Sequence, residues 1–159
     1  MASILKLPAL DPADVPAATG TNYPAQFSAA VAGRSKRRLG DALGLGIFGV
    51  NLTTLKPGAQ SALRHWHSAQ DEFIFMVEGE LVLATDGGEQ VLRPGMCAGF
   101  PAGKADGHHL INRSGRDAVY LEVGDRTKND AVTYPDNNIH APATSDGSRR
   151  LTKKDGTPY

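Results

Sequence analysis

Three side chains in one short segment have the types and the spacing of metal ligands. His65 and His67 are separated by one residue, and Glu72 follows five residues later. Residues i and i+2 of a β-strand face the same side, so both imidazoles can point into one pocket. A turn at residues 68–71 would bring the Glu72 carboxylate back beside them. The segment therefore predicts a metal site built on two strands.

A second segment supplies the fourth candidate ligand. His108 and His109 are adjacent, so they face opposite sides of a strand, and only one of them can join the same pocket. We assign His108, because Asn112 lies four residues on along the same face. Asn112 could then support a ligand through a hydrogen bond. His140 lies in a polar tail and is given no role.

Three imidazoles and a carboxylate suit one divalent transition metal, either Fe, Mn, Ni, Co, Cu or Zn, and the sequence does not choose among them. Such a set leaves coordination positions open for water or a substrate oxygen, as a catalytic metal requires. Cys97 is the single cysteine. It lies in an apolar stretch and is predicted to be a buried thiol, so a closed structural zinc site is disfavoured.

These ligands must be positioned by short strands. Alternating or apolar runs bounded by turns that contain glycine and proline are typical of strands that reverse direction, so an antiparallel sandwich or barrel is expected. The predicted strands are Gly46–Leu55, Phe73–Val77, Glu80–Ala84, Gln90–Leu92, Met96–Phe100, His109–Asn112 and Ala118–Val123. The fold class is therefore predicted to be all-β.

The strand-rich core spans residues 44–124. Residues 1–43 are assigned as an N-terminal arm and edge segment, in which 1–33 either wrap the core or lie across a partner subunit. Residues 125–159 are assigned as an irregular tail that packs on the barrel and has room for one more edge strand. The basic run 34–38 is predicted to be a solvated turn rather than an anion contact.

Composition excludes some classes of partner. The chain has 159 residues with Lys+Arg 17 and Asp+Glu 17, so its net charge is zero and no field favours nucleic acid or an anionic membrane. The sequence shows neither a signal peptide nor an apolar stretch of membrane-spanning length. We expect a cytoplasmic protein that binds a small molecule.

The spacing of the candidate ligands resembles the two motifs of the cupin superfamily. The first motif corresponds to Gly58, His65, His67, Glu72 and Gly79, and the second to Gly95, Pro101-Ala102-Gly103, His108 and Asn112. The chain departs from the family pattern by one extra residue before His65 and two extra before His108.

This resemblance implies a double-stranded β-helix, which is a jelly-roll-like conical barrel with the metal near one mouth, usually in a homodimer. The segments Asp71–Phe73 and 107–114, together with the tail 155–159, are similar to small bacterial cupins. Some of those proteins carry a sugar-phosphate isomerase label. Because one fold supports many chemistries, the label alone does not assign a reaction.

Two main functional hypotheses follow. The first is a metal-dependent enzyme of isomerase or dioxygenase type that acts on a small oxygenated molecule, with sugar phosphates among the candidates. The second is a non-catalytic small-molecule-binding or sensory protein, and a structural protein with a vestigial site is a weaker third. The pocket is expected to be mostly apolar, lined by Ile74, Met76, Phe100 and Leu110, and no general base is identified from the sequence.

Overall fold

The computed structural model of the chain describes residues 5–159, and strands dominate this part of the chain. The strands are β1 (Ala17–Ala18), β2 (Arg34–Arg38), β3 (Phe48–Leu55), β4 (Trp66–His67), β5 (Glu72–Glu78), β6 (Leu81–Thr85), β7 (Gly88–Leu92), β8 (Cys97–Phe100), β9 (His109–Ile111), β10 (Ala118–Asp125), β11 (Val132–Thr133) and β12 (His140–Ala141). Two single-turn helices are α1 (Ala25–Ser28) and α2 (Leu39–Ala42), and 3-10 turns cover Pro12–Asp14 and Ala29–Val31. The all-β prediction is confirmed. Across residues 5–159, no helix is long and apolar enough to span a membrane.

The strands form three sheets. The largest has the order β1-β2-β3-β10-β5-β8, and two three-stranded sheets have the orders β7-β6-β9 and β12-β11-β4. Every pairing recorded between these strands is antiparallel, as the turn chemistry predicted. Strand β10 pairs with both β3 and β5, so residues far apart in the chain become neighbours on the inner face of the large sheet.

Strand β5 shows how the sequence pattern builds the core. Ile74 and Met76 are buried, whereas Phe73 and Phe75 on the other face are each 40% exposed. This alternation is the period of two expected for a strand with one face against the core. The main core cluster contains Leu55, Ala59, Ile74, Met76, Leu81, Leu83, Leu92, Leu110, Ala118 and Tyr120. The large sheet and the β7-β6-β9 sheet therefore enclose one apolar interior.

The arm and the tail pack together as a second, smaller cluster. Its buried members are Leu63, Val132, Tyr134, Ile139 and Ala141, with Tyr23, Phe27, Ala30 and Leu151 partly buried against them. Strand β1 pairs with β2 at the edge of the large sheet of the same chain. In this structure the arm thus covers an edge strand, which otherwise presents unpaired backbone groups.

The tail contains two short strands, whereas the sequence predicted at most one edge strand there. Strands β11 and β12 both lie beyond residue 124, and β11 pairs with β4 on its other side. Each of these strands has only two residues, too few for any period to be recognised. The sequence could not show that the tail is joined to the segment that holds His67.

The basic run 34–38 is not a solvated turn, so this prediction was wrong. It forms strand β2, which pairs residue for residue with β3. Side chains of Arg34, Lys36 and Arg38 share one face of β2, and Arg37 lies on the other face, where its guanidinium donates to the carbonyl of Val15. The run was misread because its inward-facing residues are cationic, whereas strand prediction relies on apolar residues at those positions.

Cys97 also differs from the prediction, because its thiol is exposed rather than buried. It pairs with Phe75 across β5 and β8, on the outer face of the large sheet. The thiol of Cys97 therefore lies on the outer surface of the large sheet and not in the core.

Candidate metal centre

The four predicted ligands come together in the cavity between the sheets. Glu72 begins β5, His67 ends β4, and His65 forms an isolated antiparallel bridge with His108. The Oε2 atom of Glu72 lies 2.9 Å from Nε2 of His108, 3.4 Å from Nε2 of His67 and 3.6 Å from Nε2 of His65. One carboxylate oxygen is thus surrounded by three imidazole nitrogens.

His65, His67 and Glu72 form the compact part of this group, because their ligand atoms lie within 4.8 Å of one another. His108 joins it through its contact with Glu72. His109, the alternative considered for the fourth ligand, points its Nδ1 at the carbonyl oxygen of Ala62, 3.1 Å away. The contact with Glu72 favours His108, and its role as a metal ligand stays a prediction.

Each histidine is oriented by an oxygen on the side away from the centre. Nδ1 lies 2.8 Å from the carbonyl oxygen of Leu63 in His65, 2.6 Å from Oδ2 of Asp130 in His67, and 3.5 Å from the carbonyl oxygen of Asp106 in His108. An oxygen at Nδ1 favours a proton on that nitrogen, which would leave Nε2 as the atom that each imidazole offers to a metal ion.

Asp130 is the most important residue of the site that sequence reasoning missed. Its side chain is only 3% exposed, and it accepts hydrogen bonds from His67 and from the backbone N–H of Ala69. A carboxylate behind a ligating histidine fixes the ring and raises its basicity. Asp130 lies 63 residues from His67, just before β11, and no local pattern marks it out. Only the pairing of β11 with β4 brings it there.

Two aromatic rings restrict the imidazoles further. Phe100 stacks on His108 with a centroid distance of 3.6 Å and an interplanar angle of 2°. Tyr134 lies beside His65, with centroids 5.8 Å apart and an angle of 31°. These contacts hold the rings in place without using their nitrogen atoms, so the donor atoms are preorganised.

The electrostatics of the site favour the protonation states that bind metals. Burial lowers the pKa of His67, although the charge of Glu72 and the hydrogen bond with Asp130 oppose this. Burial raises the pKa of Glu72, but hydrogen bonds from His108 and His65 and the charge of nearby histidines outweigh it and hold the pKa well below its ordinary value. A neutral imidazole and an ionised carboxylate are the ligand forms of these side chains.

The donor set fits a divalent transition metal. Imidazole nitrogen and carboxylate oxygen together suit the borderline ions, and four protein ligands leave positions open on an octahedral ion. The exposed thiol of Cys97 lies on the outer face of the sheet and is not part of the group. His65, His67, Glu72 and His108 would hold the metal.

The site opens into a cavity of about 550 Å³. Ile74, Phe100 and Leu110 line it as expected, but Met76 belongs to the core below. Charged residues also contribute to the wall, namely Arg34, Lys36, Arg38, Asp41, Glu122, Asp125, Arg126 and Arg149. The prediction of a mostly apolar pocket was therefore wrong, because the cationic face of β2 was taken for a surface turn.

Asn112 does not support a ligand. Its buried amide donates to the carbonyl oxygens of Leu55 and Arg116, at 2.8 and 2.7 Å, and its Oδ1 accepts from the backbone and hydroxyl of Ser114. All of the hydrogen-bonding capacity of its side chain is used in closing the turn between β9 and β10 and in joining that turn to the end of β3. The spacing that links it to His108 thus reflects a structural role.

Comparison with known proteins places this fold and site in context. A cupin-domain profile matches residues 51–124, and no functionally curated protein matches the chain. A sugar phosphate isomerase of the cupin superfamily from Silicibacter pomeroyi shares 45% identity over 96% of both chains, with a TM-score of 0.90.

Two further solved structures are more distant. A candidate sugar phosphate isomerase from Acidithiobacillus ferrooxidans shares 28% identity over 79% of this chain and 80% of its own, with a TM-score of 0.71. A polyketide cyclase from Streptomyces resistomycificus shares 19% identity over 77% of this chain and 80% of its own, with a TM-score of 0.61, and supports the fold alone. The identity of 45% with the Silicibacter protein extends over almost the whole chain, and the strands and the two motifs are those expected of this family. The chain therefore belongs to the cupin superfamily.

Proposed function

We propose that the protein is a metal-dependent isomerase that interconverts the carbonyl and hydroxyl groups of a small sugar phosphate. The observation that carries this proposal is the convergence of three imidazoles and Glu72 in a cavity that Arg38 of β2 also lines. The sugar phosphate isomerase names of the two similar proteins above support the same reaction class.

The metal end of the cavity would take the carbonyl end of the substrate. A bound divalent ion acts as a Lewis acid and polarises a carbonyl oxygen. His65, His67, Glu72 and His108 supply the ligands, and the stacked ring of Phe100 closes one side of the pocket behind His108. Polarisation of the carbonyl makes the hydrogen on the neighbouring carbon more acidic.

The opposite end of the cavity would take the phosphate. Arg38 is exposed and lines the cavity, and within residues 5–159 its guanidinium forms no hydrogen bond or ion pair. Strand β2 is three strands away from β5 in the sheet, which corresponds to ~14 Å at the usual strand spacing. A long arginine side chain and a compact sugar phosphate can bridge that distance to a metal held at Glu72. Arginine also matches the geometry of a phosphate group.

The test is a substrate screen with controlled metal content. Protein stripped with a chelator is reloaded separately with Fe(II), Mn(II), Co(II), Ni(II), Cu(II) and Zn(II), and offered pentose and hexose phosphates and the matching unphosphorylated sugars. We expect interconversion of at least one phosphorylated aldose–ketose pair, only with metal, and none in a His65→Ala/His67→Ala variant. Absence of turnover with every metal and every sugar phosphate would contradict the proposal.

A non-catalytic role as a small-molecule-binding or sensory protein is the alternative. The same metal-loaded protein distinguishes it, because calorimetry would then show metal-dependent binding of a sugar phosphate that is recovered unchanged. Turnover that consumes oxygen would instead indicate a dioxygenase.

We further propose that two copies of the chain associate through the outer face of the large sheet. On this face Phe75 pairs with Leu121, which in turn pairs with Leu52, and the adjoining row is Phe73, Val123 and Val50. All six side chains are uncharged and at least partly exposed. Because a two-fold interface places identical patches against each other, a neutral apolar patch meets itself without repulsion.

A further inference from the structure

A second polar cluster lines the cavity beside the candidate metal centre. The Oε1 atom of Glu122 accepts hydrogen bonds from Nζ of Lys36 at 2.5 Å and from Nδ2 of Asn51 at 2.9 Å. Its Oε2 atom accepts one hydrogen bond, 3.2 Å long, from the hydroxyl of Tyr120. None of these groups is a predicted metal ligand, and the reaction proposed above gives none of them a role.

The sheet register places Glu122 between the two ends of the proposed substrate site. Glu122 pairs with Ile74 on β5, and two residues on, Gly124 pairs with Glu72. One strand spacing and two residues along the strand separate the α-carbons of Glu122 and Glu72 by ~8 Å. On the other side Glu122 pairs with Asn51, which pairs with Arg38. Glu122 thus lies on the same inner face, between the metal ligands and the free arginine.

The partners of Glu122 hold its carboxylate in place. The ammonium group of Lys36 and the amide of Asn51 hold one oxygen, so the carboxylate cannot turn freely. The side chain is 22% exposed, and it reaches the cavity that Lys36 also lines. An ionised carboxylate with a lone pair facing a substrate cavity can accept a proton from carbon.

Two other carboxylates line the cavity, and like Glu122 they have hydrogen-bonding partners. Asp41 pairs with Arg126, and the carboxylate of Asp125 accepts the backbone N–H groups of Asp71 and Thr127. Burial and the neighbouring Glu122 charge raise the pKa of Tyr120 well above its ordinary value, so its phenol remains a hydrogen-bond donor.

We infer that Glu122 is the general base that moves the proton between the two substrate carbons, an inference that rests on the isomerase function proposed above. Glu122 removes the proton from the carbon next to the carbonyl, the electron pair of that C–H bond forms a C=C bond, and the π pair of the carbonyl moves onto its oxygen to give an enediolate. Glu122 then returns the proton to the former carbonyl carbon, while the hydroxyl proton passes from one oxygen to the other. One proton moves between carbons and one between oxygens, and no oxidant is needed.

The test measures deuterium incorporation into the sugar phosphate in D2O, because exchange with solvent reports the proton on the base directly. Metal-loaded wild type is compared with Glu122→Gln, which keeps the shape but cannot accept the proton. Glu78→Gln is the matched control, since Glu78 lies on neighbouring β5 but is exposed outside the cavity. The probes are the same pentose and hexose phosphates, with incorporation followed by mass spectrometry.

We expect Glu122→Gln to lose exchange and isomerisation by about 100- to 10,000-fold, the usual contribution of a general base. Its metal content by elemental analysis and its sugar phosphate affinity by calorimetry should match the wild type, and Glu78→Gln should be unaffected. Glu122→Asp, which keeps a displaced carboxylate, should recover part of the exchange and serves as the second variant if Glu122→Gln is poorly folded.

Two negative outcomes are distinguishable. If wild type exchanges and isomerises but both Glu122 variants do so at the wild-type rate, the base is another group, while the isomerase function stands. If wild-type protein with bound metal neither exchanges nor isomerises any of the probes, the isomerase proposal fails and the role of Glu122 falls with it.

Discussion

Asp130 places its Oδ2 atom 2.6 Å from Nδ1 of His67, across a pairing of β4 with β11 that joins the tail to the first motif. The same carboxylate accepts the backbone N–H of Ala69 and lies 3.4 Å from the guanidinium of Arg149. The tail is thus part of the candidate metal centre and not only a cover for the barrel.

Replacing Asp130 by Asn is predicted to weaken metal binding by about 10- to 100-fold, because the amide can no longer accept the His67 proton with a full charge. Competition with a chelator of known affinity measures the metal dissociation constant. Asp117→Asn is the control, since Asp117 is exposed and its carboxylate lies 3.6 Å from the ammonium group of Lys56. Equal metal affinities in the wild type and Asp130→Asn would show that Asp130 does not strengthen metal binding.

The two adjacent histidines should behave differently when replaced. His108→Ala removes an imidazole 2.9 Å from the Glu72 carboxylate, so we expect a large loss of bound metal. His109→Ala, the matched neighbour, breaks only the contact with the carbonyl of Ala62 and should keep the wild-type metal content. Elemental analysis of protein purified without a metal-affinity tag makes the comparison. Full metal content in His108→Ala would remove this residue from the ligand set.

The contrast between β5 and β2 shows what the sequence could reveal. Alternation of Ile74 and Met76 with exposed phenylalanines predicted β5 almost to the residue. The His-x-His spacing and the glutamate that follows it predicted three residues that lie together in the candidate metal centre. Strand β2 was missed because Lys36 and Arg38 face a polar cavity, and hydrophobic periodicity carries no signal there.

Glu122 illustrates a second limit. Its partners Lys36 and Asn51 lie on different strands, 86 and 71 residues away. Non-local pairing of this kind depends on the strand order of the sheet, which an unaligned sequence does not contain. The candidate ligands could be proposed from the sequence because they lie in short local motifs, whereas residues assembled by topology, such as Asp130 and Glu122, could not.

Arg38 provides a test of substrate charge. A hydrogen bond to a charged group contributes about 1.5–3 kcal/mol, so Arg38→Met should raise KM for a phosphorylated substrate by about 10- to 150-fold. Metal content should not change, and binding of the matching unphosphorylated sugar should be unaffected. Arg116→Met is the control, because Arg116 is exposed and lies outside the cavity. An unchanged KM would show that the phosphate, if recognised, is held elsewhere.

Asn112 should matter for stability and not for the metal. Asn112→Ala leaves the buried carbonyl of Leu55 without its amide partner, which costs about 1–3 kcal/mol in the free energy of unfolding. Urea unfolding of the metal-free protein measures this loss. Asn138→Ala, which removes one hydrogen bond at an exposed position, should change stability much less. A stable Asn112→Ala protein with reduced metal affinity would instead support a role behind the ligand histidine.

The outer face of the large sheet determines the expected oligomeric state. Phe75 lies at the centre of the apolar patch, 40% exposed and flanked by Leu121 and Cys97 on the neighbouring strands. Placing a charge there opposes association, because a two-fold interface would bring the same charge from both copies into one apolar contact. Phe75→Glu is therefore predicted to sediment as a monomer while the wild type sediments as a dimer. Val91→Glu is the control, since Val91 is also 40% exposed but belongs to β7 in the other sheet. A wild-type monomer, or a dimer broken only by Val91→Glu, would place the interface elsewhere or remove it.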